Sequence, residues 1–207
     1  MKLKNLFIVS AFAAIFMGCS MGSQIFPPTI YSPKAIEQLT ADLKEISKNY
    51  QIEEIRVTEK AKLSNEFGYA NVDMRDSEGQ RFEQMLYYNI GIPHNDPKPK
   101  KEYGIKRKKE PHAINVDDII HQKDNIEQYV EEAKVLMDEN LEGKYKFESV
   151  TNLKFAADDE GNLLIKFTVN VTEKGKADRR EGGRMVTDYY ELQFTVDTDG
   201  QVVYSEN

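Results

Sequence analysis

Cys19 and the three histidines His94, His112 and His121 are the side chains best suited to chemistry in this 207-residue chain, and their number already limits what that chemistry is. One cysteine closes no internal disulfide and cannot supply the two to four thiolates of a zinc site. The histidines fall in or beside a proline-rich stretch, near Asp96, Asp117 and Asp118, but without the i, i+4 spacing that sets two ligands on one helix face. They are expected to be solvated loop side chains, with no metal. No serine stands in a Gly-x-Ser-x-Gly elbow, and no glycine-rich loop leads through a lysine into a helix, so nucleophilic catalysis and phosphate cradling have no support. Carboxylate pairs such as Glu53-Glu54 and Glu131-Glu132 fit a solvated face in a chain with 35 acids, and the separation that glycoside chemistry needs is set by the fold. No cofactor is expected.

Binding has more candidates. Residues 98–109 include Lys106-Arg107-Lys108-Lys109 and could meet anionic lipid or cell-wall polymer, although their prolines favour a solvated linker. Lys174, Lys176, Arg179, Arg180 and Arg184 lie in a glycine-containing loop between two strong strand patterns, where binding residues concentrate; Glu173, Asp178 and Glu181 dilute the charge. These five are the candidate binding residues. Tyr69, Tyr87 and Tyr189 could face away from the core and suit recognition of protein or glycan. Two of the 28 basic residues and none of the acidic ones precede Cys19, so the remainder carries 26 − 35 = −9. That total argues against nucleic acid, or a bare anionic membrane, as the main partner.

The N-terminus carries an address. Lys2 and Lys4 precede an apolar run over 6–17, broken only by Ser10, and Gly18-Cys19 follows. The run is short of the roughly 20 apolar residues that span a bilayer but suits a signal peptide. Phe16-Met17-Gly18-Cys19 resembles the lipobox of bacterial lipoproteins. The resemblance covers residues 1–19 and implies cleavage before Cys19, diacylglycerol on its thiol, and a mature protein held on a membrane outside the cytoplasm.

The elements that would position any site follow from periodicity. After a signal peptide over 1–18, residues 19–31, with Pro27-Pro28, read as a lipidated cysteine and tether. Ser32-Pro33 is a cap before a first-turn proline, and Ile36, Leu39, Leu43, Ile46 and Tyr50 then mark an amphipathic helix. Ile126, Tyr129, Val130, Ala133, Met137 and Leu141 mark a second one, and both helices begin Ile-Glu-Gln. Strands follow each: Ala70, Val72 and Met74, then Phe82, Leu86, Tyr88 and Ile90; later 145–155, then the strict alternation of Leu163, Ile165, Phe167, Val169 and Val171, then Tyr190, Leu192, Phe194 and Val196. Three segments, 76–80, 158–162 and 197–201, read Asp, any residue, acid, Gly, amide, the form of a hairpin turn with Gly in the left-handed position; they are too short for twelve-residue calcium loops.

These patterns predict an α+β fold of two related units, 32–92 and 116–207, each a helix followed by antiparallel hairpins with the helix packed on sheet. A Pro/Lys-rich linker over 93–115 would join them, leaving open whether they share a sheet. The order resembles, in architecture only, the PepSY and beta-lactamase-inhibitor-like envelope modules. The function expected is a non-enzymatic, membrane-anchored binding module, with a protein as partner and the membrane reached through lipid on Cys19. The alternatives are an enzyme of unrecognised type or a carrier of a small apolar ligand.

Overall fold

Ser32 caps the first helix, α1 (Pro33–Ile46), by accepting the Ala35 amide, and Pro33 occupies the first turn, where no amide partner is needed. The computed structural model describes residues 27–101, 110–176, 178–181 and 184–205. Along them follow β1 (Gln51–Glu59), β2 (Phe67–Arg75), β3 (Arg81–Tyr87), β4 (Lys98–Pro99), α2 (Val116–Gln122), α3 (Asn125–Asn140), β5 (Tyr145–Ala157), β6 (Leu163–Glu173), β7 (Arg179–Glu181), β8 (Arg184–Val186), β9 (Tyr190–Val196) and β10 (Val202–Ser205). The chain is α+β.

Eight strands form one antiparallel sheet in the order β10-β9-β6-β5-β1-β2-β3-β4, while β7 and β8 make a separate small ribbon. The strands after α1 and those after α3 therefore share a sheet, joined where β1 pairs with β5. Alternation sorts the side chains. One face carries the rows Ile55, Phe155, Ile165, Val196 and Val57, Leu153, Phe167, Phe194, all buried beneath the apolar faces of the helices. The opposite face carries Arg56, Lys154, Lys166 and Thr195 in one row and stays open to water. Arg56 and Lys154 stand directly opposite each other, a repulsive pairing that Glu54 relieves by binding both, with Lys154 Nζ at 2.7 Å. Burial alone would raise the Glu54 carboxyl, but these two cations hold it below the usual carboxylate range.

β1 has no counterpart among the strands expected from the sequence. An extra residue, Glu53, bulges from it between the Ile52–Met74 and Glu54–Asp73 pairs, so the alternation changes phase within the strand. The carboxylates Glu53 and Glu54, expected on a solvated face, part company there. Glu53 is buried against Arg75 and Arg81, and only Glu54 looks out over the open face. α2 was likewise not expected.

The expected linker over 93–115 needs correction at both described ends. Lys98 and Pro99 pair with Glu83 and Phe82 as an edge strand, and Lys100 binds the buried carboxylate of Asp73. Glu110 reaches Arg75 and Arg81, and the amide of buried Ile114 donates to Ile52 O at 2.7 Å. A sheet with unmet edge and bulge groups gives such a segment partners that composition cannot reveal. The basic run 106–109 lies outside the described residues, as do the apolar run and Cys19. Among the described residues no helix is long and apolar enough to cross a membrane.

Candidate functional site

Antiparallel pairing sends the β2–β3, β5–β6 and β9–β10 turns to one end of the sheet. These are the three Asp-x-acid-Gly-amide segments, and they close alike. Asp76, Asp158 and Asp197 each take two backbone amides on Oδ1, two and four residues on, at 2.8–3.0 Å. Gly79, Gly161 and Gly200 have φ of +84°, +90° and +80°. Burial would raise the Asp158 carboxyl, but the Asn162 side chain and amide and the amides of Glu160 and Gly161 hold it low. Together the three turns bring seven carboxylates and no base to this end.

Two of the turns meet the α2–α3 corner, and a cleft of about 540 Å³ lies between them. Leu163, Ile165 and Val196 form its apolar floor. Asp118, His121, Gln122 and Tyr129 line the helical side, and Asn162, Asp197 and Thr198 the turn side. The Tyr129 ring is buried and its hydroxyl donates to Gln122 Oε1 at 2.9 Å; burial pushes the phenol up, so it stays protonated at neutral pH. Gly200 makes room for that hydroxyl, which sits 3.5 Å from where a Cβ would stand, and the His112 ring lies 3.8 Å from the same position on Gly161. Two of the three histidines thus flank the cleft. The signal missed in the sequence is the pairing of those two turns with Gln122 and Tyr129, which are close in space only through the sheet.

The arrangement suits binding. Asp197 Oδ1 is held by the amides of its own turn and the Tyr129 hydroxyl by Gln122, so each group is fixed in place on its own side of the cleft. Among the described residues no three His, Cys, Asp or Glu side chains group as metal ligands.

The third histidine is not the solvated loop side chain expected. His94 Nδ1 accepts the Tyr87 amide at 2.9 Å, which places its proton on Nε2, 3.3 Å from Asp42 Oδ2. The same oxygen accepts the Tyr88 hydroxyl at 2.7 Å, and Tyr88, its phenol pushed up by burial and by Asp42, stacks on Phe67. Both ring nitrogens are in use, and His94 fastens the chain after β3 to α1.

The candidate binding residues sit at the opposite end of the sheet, where β6 leads through β7 and β8 into β9. Lys174 lies 3.6 Å from Asp138; Lys176 lies 3.6 Å from Glu173 and 3.8 Å from Asp188; Arg179 reaches Asp188 at 3.2 Å and Glu181 at 3.8 Å. Arg180 and Arg184 belong to β7 and β8, and their side chains lie outside the described residues. The structure thus brings Lys176 and Arg179 together on Asp188. Lys62 at this end lies over the Tyr189 ring, 4.1 Å from its centre; Tyr69, Tyr87 and Tyr189 are half-buried.

A second buried polar group stands near this end. The Glu59 carboxylate accepts the amides of Leu63, Ser64 and Asn65 at 2.9–3.0 Å and faces Ser149 and Asn170 at 3.4 Å. It resembles an anion nest with its anion built in, and it fixes the loop 60–66, whose Asn65 bridges to Glu148 O and the Val150 amide. Comparison with family models, with curated proteins and with solved structures gives no match.

Proposed function

We propose that this protein is a lipid-anchored, non-enzymatic binding module of the bacterial envelope, held through Cys19, that receives a protein partner in the cleft between the α2–α3 corner and the 158–162 and 197–201 turns. The observation that carries the reading is where the cleft opens. The chain enters the fold at the other end of the sheet, where Ile30 N–H donates to Asn65 O and Phe67 N–H to Pro28 O. An anchor upstream of Pro27 leaves the cleft end outermost. The chemistry there, an apolar floor within an acidic rim with amide and phenol groups, suits a lysine or arginine side chain whose methylenes lie on Leu163 and Val196 while its charge meets Asp118 and Asp197.

The two halves read as related units within the one sheet. α1 leads into β1 and α3 into β5; β1 and β5 pair at the centre, and β2 and β3 succeed one another outward on one side as β6 and β9 do on the other. The shared Ile-Glu-Gln at the start of α1 and α3 agrees with that.

A photo-crosslinking side chain at Thr198, in cells, tests the function. A discrete protein adduct at Thr198 that is absent at Lys166 on the open face, and lost when Asp118 and Asp197 become Asn, is the expected result. Equal capture at both positions overturns the site, and normal lipid labelling of Cys19→Ala overturns the anchor.

A further inference from the structure

On the face of the sheet turned away from the helices, strand register lines up two neighbouring rows of side chains. Tyr69, Thr58, Asn152, Thr168, Gln193 and Ser205 stand abreast on β2, β1, β5, β6, β9 and β10, and Tyr87 on β3 continues the row beyond Tyr69. No aliphatic or charged side chain interrupts it. Among the described residues the side chains of Thr58, Asn152, Thr168 and Gln193 make no hydrogen bond, and Asn152 Oδ1, shielded from water, is left without a partner.

The second row lies two residues along each strand and sets Arg56, Lys154 and Lys166 directly opposite one another on β1, β5 and β6. Like charges in such positions repel across about 5 Å. Glu54 relieves Arg56 and Lys154, but no carboxylate of the described residues pairs with Lys166, which is exposed. Three cations therefore share one acid. Glu191 stands opposite Asn170, on the far side of the uncharged row. Between the two rows, over β5, β6 and β9, runs a trough of about 330 Å³; Asn152, Lys154, Lys166, Thr168, Gln193 and Thr195 line it, and no carboxylate does.

We propose that these two rows bind a carboxylated polysaccharide whose chain runs across the strands. A sugar carboxylate on Lys166 supplies the counter-charge that the cationic row lacks. Sugar hydroxyls each donate and accept, and they meet amides and hydroxyls with the same double capacity that no other side chain uses. Strands lie about 4.7–4.9 Å apart, close to the advance of a pyranose chain per sugar, so successive sugars meet successive strands over the roughly 24 Å from Tyr69 to Ser205. Tyr69, half-buried, offers an apolar ring face at one end for the C–H side of a sugar. A peptide would instead pair with a sheet edge through its backbone or seat its side chains in apolar pockets, and the uncharged row offers neither. The surface is on the face away from the α2–α3 corner, so its test does not involve the cleft.

Calorimetric titration of the chain from Cys19 onward, which keeps every described residue, with oligogalacturonate at low salt tests this. Oligogalacturonate should bind, and a neutral dextran oligosaccharide of equal length should bind about tenfold more weakly or not at all, because it brings no charge to Lys166. Polyglutamate and polyphosphate of matched charge, which lack the sugar hydroxyls, should also bind more weakly. Lys166→Gln should weaken the binding of oligogalacturonate about tenfold, the worth of one charge-assisted hydrogen bond, and Gln193→Ala by a smaller factor, while Lys48→Gln on α1 should match the parent. Both altered side chains in the rows are exposed, and urea midpoints equal to the parent's show that the variants are folded. No binding of oligogalacturonate by the parent, equal binding of polyglutamate or polyphosphate, or equal losses in Lys166→Gln and Lys48→Gln overturns the proposal.

Discussion

Gly68 is where one added methyl group should do the most damage. It is the extra residue of a bulge, since Thr58 pairs with Tyr69 and Glu59 with Phe67, and β1 passes directly over it. A Cβ on Gly68 would stand 2.4 Å from the Lys60 Cα, 2.6 Å from the Lys60 nitrogen and 3.0 Å from the Glu59 carbonyl carbon. Carbon atoms pack at about 3.5–4.0 Å, and every obstacle is backbone, so the end of β1 must retreat by about 1 Å. That retreat strains the bond from Lys60 N–H to Glu66 O and shifts Glu59, whose carboxylate holds three amides of the following loop. One neutral bond and part of a charge-assisted set are worth about 2–4 kcal/mol, and residual overpacking adds about 1 kcal/mol, so Gly68→Ala should cost about 3–5 kcal/mol. Gly79→Ala is the reference: with φ +84° and nothing within 4 Å, it meets only left-handed backbone strain, about 1–2 kcal/mol. Urea melts of both, with a slope of about 2 kcal/mol per molar, should place the Gly68→Ala midpoint about 2 M below the parent and Gly79→Ala about 0.5–1 M below. Coincident midpoints for the two variants would mean that β1 does not cross Gly68 as described.

The cleft turns give a related expectation: Gly161→Val and Gly200→Val should each lower stability by about 1–3 kcal/mol, with Gly200→Val the worse because the Tyr129 hydroxyl stands 3.5 Å from its Cβ position where the His112 ring stands 3.8 Å from that of Gly161, and unchanged melts would rule out the left-handed turns. Stability should also fall in acid with a definite sign. Glu54 and Asp158 have folded-state carboxyls below their ordinary values of 4.5 and 3.8, so their contribution is complete above those values and is lost as pH falls through the lower, folded ones. Urea midpoints should therefore hold level from neutral pH to about 5 and then decline, less steeply in Glu54→Gln; a Glu54→Gln profile with the parent's slope would show that Lys154 and Arg56 do not hold that carboxylate.

The helices and the regular strands are legible in the sequence because their signals are local. The spacing of Ile36, Leu39 and Leu43 marks the buried face of α1, and that of Ile126, Val130 and Ala133 the buried face of α3, because a helix repeats its face every turn regardless of what covers it. The alternation from Leu163 to Val171 survives in β6 for the same reason. β1 was illegible because the Glu53 bulge breaks its alternation after Ile52, leaving two short apolar fragments that match no period. His94 was illegible because Asp42, which receives its Nε2, is 52 residues away in sequence on α1. The packing of Lys98 and Glu110 depends likewise on partners contributed by β2 and β3.

The turn motifs show the division most clearly. Each Asp-x-acid-Gly-amide segment determines its own hairpin, since the aspartate binds amides two and four residues on and glycine alone takes the positive φ without strain. None of them determines where the others lie. That was decided by the antiparallel meanders and by the β1–β5 pairing that joins the halves into one sheet, which places two of the three turns beside the α2–α3 corner and the loop 60–66 beside the chain entry. Composition fixes the total charge; only strand direction fixes which end carries it.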